Sequence, residues 1–158
     1  MTDAITKVVP AMSALEKAKT PAQTKKIESA SAAAIAWAKE EGDYELMVDA
    51  MKMYVLARRK TTELLKPFIK HGGNRQGQGN LPVTLMDKTG FTKMQWHRRV
   101  RELEVSLEDL EDYFDECVSN GWNPSLAGLL RHANGENPKP AGNRDHITCP
   151  NCGAVFSG

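Results

Sequence analysis

The chain has 158 residues, 41% of them hydrophobic and 26% charged, with a net charge of +1. That length suits one compact domain with extensions, and the composition excludes disorder throughout. No apolar run is long enough to span a bilayer. Asp3 and Lys7 interrupt any apolar core behind Met1, so no secretory signal is expected and the reading places the protein in a cytoplasm. Aromatic residues make up only 6% of the chain, and period-two runs of Val, Ile, Thr and Tyr are nearly absent. Strands are therefore not expected, and the fold class is all-α.

Residues 3–18 carry Ile5, Val8, Val9, Met12 and Leu15 at helical spacing, with Pro10 able to kink or shorten the helix. Thr20-Pro21 is a restart, Thr as N-cap and Pro at the first helical position. The helix that follows is rich in Ala, so its small side chains allow close approach, with Ile27, Ala34 or Ala38, and Trp37 as the contact stripe. Gly42-Asp43 ends this helix and caps the next, which carries Leu46, Met47, Ala50, Met53, Tyr54, Ala57, Leu64 and Leu65. The two helices form an antiparallel hairpin that either dimerises or packs on the C-terminal half. Residues 71–80, HGGNRQGQGN, read as a Gly-rich linker in which Arg75 could touch a phosphate backbone.

Residues 84–103, TLMDKTGFTKMQWHRRVREL, read as two short helices broken at Gly90. Thr84 with Asp87 and Thr92 with Gln95 have capping-box spacing, and Gly90 suits a left-handed C-cap. Helix, tight turn, helix is the layout of a helix-turn-helix DNA reader. Trp96, Val100 and Leu103 share one face of the second helix and are expected to bury against the first, with Phe91 and Leu85. Lys93, Gln95 and Arg98 are the base-edge candidates, Arg99 and Arg101 the phosphate contacts. From Arg58 to Arg101 eleven bases stand against two acids, a local charge of +9, while residues 104–116 hold seven acids and no base. Such segregation is the electrostatic footprint of a nucleic-acid binder, or else two solvated faces of opposite sign.

Ser106 opens an acidic helix through Asn120, with Val105, Leu107, Leu110, Phe114 and Val118 as apolar positions and Gly121 as its stop. Asn123-Pro124-Ser125 opens a last short helix through Leu126, Leu129 and Leu130. The tail HITCPNCGAVF holds Cys149-x-x-Cys152-Gly, a zinc-knuckle turn, with His146 as a third ligand. The expected cofactor is structural zinc, its fourth ligand coming from His132, Asp145, Cys117 or a second copy. Glu108, Asp112 and Glu116 lie along one helix rather than across a cleft, and no nucleophile–His–acid set stands out, so an enzyme is not expected.

The expected organisation is a helical hairpin over 1–71, a linker over 72–81, a helix-turn-helix-like domain over 82–133, a linker over 134–145 and a zinc-knuckle tail over 146–158. The segment TLMDKTGFTKMQWHRRVRELEVSLEDLEDYF, followed by NPSLAGLLR, resembles a class of small phage and mobile-element proteins. The matching residues are Thr84, Leu85, Asp87, Gly90, Thr92, Gln95, Trp96 and Arg98, then Pro124, Gly128, Leu129, Leu130 and Arg131. The resemblance implies DNA binding. The expected function is that of a phage- or mobile-element-encoded DNA-binding protein in transcription regulation or genome handling, acting in a bacterial host cytoplasm. The expected partner is double-stranded DNA, bound by a homodimer. The competing expectation is a module that inhibits or redirects a host protein through the acidic helix 106–120 and the hairpin.

Overall fold

The computed structural model describes residues 12–68, 90–136, 147–148 and 155–156. Among the described residues six helices follow one another: α1 (residues 12–17), α2 (Pro21–Glu41), α3 (Tyr44–Leu65), α4 (Lys93–Glu104), α5 (Leu107–Asn120) and α6 (Leu126–Ala133). A single 3-10 turn, Lys66–Phe68, closes α3. Two strands of two residues each, β1 (Ile147–Thr148) and β2 (Val155–Phe156), pair antiparallel, with Ile147 opposite Phe156 and Thr148 opposite Val155. The all-α expectation holds for the body of the fold, and this short ladder is a local addition that so brief an apolar pattern did not announce. Among the described residues no helix is long and apolar enough to cross a membrane.

Local chemistry sets the helix ends. Thr20 and Gln23 form a reciprocal capping box ahead of Pro21, and Gly42 ends α2 in the left-handed conformation. The Asp43 carboxylate accepts the Leu46 N–H and starts α3. Ser106 and Ser125 do the same for α5 and α6. The contact stripe of α2 is Thr24, Ser31 and Ala38, all buried and seven residues apart. That spacing keeps one seam of small residues against α3. The hydroxyls of Thr24 and Thr61 meet across this seam at 2.7 Å. Ala38 lies on the seam as expected and Ile27 is half-buried, whereas Trp37 points outward with 52% of its surface exposed.

Helix α3 is buried on most sides, from Met47 to Leu65, which marks it as the central helix. Val48, Met51 and Val55 share one apolar cluster with Val105, Leu110, Tyr113, Phe114, Cys117 and Leu129. Leu15, Met53 and Ala57 form a second cluster, so α1 also rests on α3. Leu65 meets Trp96, with Phe91 and Val100 beside them. The hairpin packs on the C-terminal half, which is one of the two expectations for it. Residues 12–65 and 93–133 share their core, and the apolar face of α3 is covered within the chain.

Two long-range caps reinforce this arrangement. The Tyr44 hydroxyl lies 2.7 Å from the Cys117 carbonyl and 2.9 Å from that of Trp122, at the C-terminal end of α5. The Arg59 guanidinium donates to the carbonyls of Glu102 and Val105, at 2.7 and 2.6 Å, at the end of α4. A buried cation thus meets the negative end of a helix and satisfies carbonyls that have no partner within it. Burial pushes the Arg59 pKa down, an effect partly offset by Glu63 and Glu102.

Candidate nucleic-acid interface

Helix α4 begins at a complete capping box. The Thr92 hydroxyl accepts the Gln95 N–H at 3.2 Å, and the Gln95 side-chain oxygen accepts the Thr92 N–H at 2.9 Å. Gly90, two residues earlier, has φ +68°, a left-handed conformation that favours glycine. The entry into the helix is therefore as the Gly90–Thr92–Gln95 pattern predicts. The first helix of the expected reader, from Thr84 to Thr89, lies outside the described residues.

The inner face of α4 is Trp96, Arg99 and Glu102, all buried. Trp96 packs on Leu65 of α3, with Phe91 beside them, so the helical hairpin is one partner of its face; Leu85, the other expected partner, lies outside the described residues. Glu102 receives a two-pronged hydrogen bond from Arg58 of α3, from Nε at 2.8 Å and from Nη2 at 2.9 Å. Arg58 also donates to the Tyr54 hydroxyl at 3.0 Å and stands 3.6 Å from the Glu28 carboxylate of α2. Burial draws the Arg58 pKa down, but the bonds and charges of Glu102 and Tyr54 outweigh it and the net shift is upward. Arg99 forms an ion pair with Glu28 and lies over the Phe91 ring, 4.1 Å from its centre. Lys25 of α2 lies over the same ring at 4.6 Å. Buried charge, paired and hydrogen-bonded, thus fixes the rotation and height of α4 on α2 and α3.

The outer face of α4 carries Lys93, Met94, His97, Arg98, Arg101 and Glu104, all exposed. Among the described residues, no carboxylate forms an ion pair with Lys93, Arg98 or Arg101. Arg98 rests its guanidinium against the Met94 sulfur at 3.9 Å. Between α4 and α6 runs an open groove of about 610 Å³, with Arg58, Arg98 and Arg101 on its basic side and Leu126, Ala127 and Leu130 opposite.

Of the six residues expected to contact DNA, the five within the described residues fall into three groups. Lys93, Arg98 and Arg101 are exposed together on one face. Gln95 is exposed, but its amide oxygen is engaged in the cap. Arg99, expected at a phosphate, is instead an internal residue, because Glu28 and Phe91 hold its guanidinium between α2 and α4. Arg75 lies outside the described residues, as do His146, Cys149 and Cys152 of the expected zinc knuckle. Among the described residues no group of three His, Cys, Asp or Glu side chains is arranged to hold a metal. Cys117, a candidate fourth ligand, is sealed in the main core. Burial pushes its thiol pKa up, and Tyr113 offsets this only in part. His132 lies 3.4 Å from Glu116.

Sequence reasoning missed the supporting residues Glu28, Arg58, Arg59 and Glu102. A signal for one of them existed: Glu102 is three residues beyond Arg99 and six beyond Trp96, on the buried side of a basic helix. No protein-family model, curated protein sequence or solved structure matches the chain.

Proposed function

We propose that the chain is a double-stranded-DNA-binding protein whose reading element is α4. The carrying observation is the division of charge on that helix. Arg99 and Glu102 are taken up internally, while Lys93, Arg98 and Arg101 face solvent with no carboxylate partner among the described residues. Lys93 and Arg98 lie in the first half of the helix, the part that readers bring to base edges, and Arg101 follows as a phosphate contact. Gln95 contributes through its amide NH₂, its oxygen staying in the cap. Arg75 adds a phosphate contact from the Gly-rich segment. The biological setting this reading fits is transcription regulation or genome handling in a phage or mobile element.

The tail adds a structural zinc held by His146, Cys149 and Cys152 with one further ligand. The support for this is that β1 and β2 flank the Cys149–Cys152 segment and pair with each other, since hairpin strands beside a Cys-x-x-Cys turn suit a closed tetrahedral site. The test of the DNA reading is electrophoretic mobility of random duplex DNA across a salt series. The expected result is binding that weakens steeply with salt, because each phosphate contact releases counterions. Arg98→Ala with Arg101→Ala should flatten the salt dependence and lower affinity. Full duplex affinity in that variant would transfer the function to another surface.

A further inference from the structure

The groove between α4 and α6 joins a basic wall to an apolar one, and this chain carries a surface that matches it. On α5, Glu108, Asp112 and Asp115 are exposed and no cation pairs with them among the described residues. Leu107 and Val118 lie at the two ends of the same face, 61% and 56% exposed, although their helical spacing predicts burial. Like charges stacked at intervals of three and four residues repel one another within a helix. An outward face combining that repulsion with two open apolar side chains is better satisfied against a partner than in water.

We propose that the groove receives the acidic face of α5 from a second copy of the chain, forming a two-fold dimer in which each protomer gives its α5 and takes its partner's. The spacing agrees on both sides. Arg98 and Arg101 are three residues apart on α4, Asp112 and Asp115 three apart on α5, and each interval is about 4.5 Å of helical rise. Two antiparallel helices therefore bring both pairs into register together, while Leu107 or Val118 meets the apolar wall of Leu126 and Leu130. Met94, 67% exposed on the same outer face as Arg98, is covered by the same contact. The dimer occupies Arg98 and Arg101, so duplex DNA and the second copy compete for one surface. The dimer itself does not depend on the DNA reading.

Sedimentation of the full chain from low micromolar to submillimolar concentration, at low and at high salt, tests it. The expected result is a dimer that dissociates as salt rises. Arg98→Glu with Arg101→Glu, and separately Asp112→Arg with Asp115→Arg, should each raise the dissociation constant by about tenfold or more. An equimolar mixture of the two variants should recover a heterodimer, since each groove then meets the opposite charge. Should a charge reversal unfold the chain, Arg98→Gln with Arg101→Gln replaces it and is expected to weaken association in the same direction. A wild-type monomer at every concentration and salt overturns the proposal. So does a dimer indifferent to either charge change, or a mixture of two folded variants that stays monomeric.

Discussion

Helices α4 and α5 are neighbours in the chain, pack on the same central helix, and are held by different physics. Helix α5 buries Leu110, Tyr113, Phe114 and Cys117 in the main apolar cluster. Helix α4 buries one large apolar residue, Trp96, and otherwise engages α2 and α3 through Arg99 and Glu102. Apolar burial stabilises without direction, whereas a buried ion network adds little net stability and specifies orientation. The difference agrees with the proposal that α4 presents its outer face to DNA. The helix that supplies the larger share of the core needs no such device.

The contrast is broken most severely at Phe114. Phe114→Ala removes a ring from the main core and should cost about 3–5 kcal/mol in denaturant unfolding. Glu102→Ala should cost about 2–3 kcal/mol, less than a fully enclosed pair, because Glu28 still stands 3.6 Å from the Arg58 guanidinium. Replacing both partners, Arg58→Met with Glu102→Leu, should recover most of that loss. Failure of the double replacement to recover it would mean that the network stabilises α4 outright rather than orienting it.

High pH sharpens the comparison further. Burial pushes the Tyr113 hydroxyl from 10.0 up to about 12, and Tyr44 is raised in the same direction, again chiefly by burial. Between pH 10 and about 12 the unfolded chain has lost protons that the folded chain keeps. Stability therefore falls as pH rises from 10, on the order of 2 kcal/mol for Tyr113. Tyr113→Phe should unfold with a shallower alkaline dependence in pH-resolved thermal melts.

Gly128 tests how closely α6 approaches α5. A Cβ there would overlap the Tyr113 hydroxyl, which bridges to the backbone N–H and carbonyl of Ser125. Gly128→Ala should cost about 1–3 kcal/mol by overpacking, read as a lower melting temperature. The smallest stability effect is expected on the outer face of α4. Arg98→Ala with Arg101→Ala should shift folding by no more than about 0.5 kcal/mol, while duplex binding drops. A large stability loss from that pair would show these arginines to be part of the fold.

Much of this architecture is legible in local spacing. Each described helix from α2 to α6 begins at the Thr, Asp or Ser that the pattern marks, since a cap depends on residues three apart. Gly42 and Gly121 end their helices for the same local reason. The charge segregation between residues 58–101 and 104–116 is likewise visible in one dimension, and it separates a basic α4 from an acidic α5. Local spacing could not say which members of a charged run lie inside. Arg99 and Arg98 are adjacent and chemically identical, yet 100° of helical rotation places one against Glu28 and Phe91 and the other in solvent. Val118 keeps helical register with Leu110 and Phe114 and is still exposed, because α3 and α6 cover α5 on another side.

What the sequence by itself determined is where the described helices α2 to α6 begin, the glycine stops at Gly42 and Gly121, and the opposite charges of α4 and α5, because these follow from interactions within one or two turns. The tertiary structure alone decided that the hairpin and the C-terminal helices share a core, that Arg59 and Tyr44 cap helices far along the chain, and which three cations of α4 stay outside. Those outcomes depend on contacts between residues forty to eighty positions apart, where burial and charge pairing are settled together.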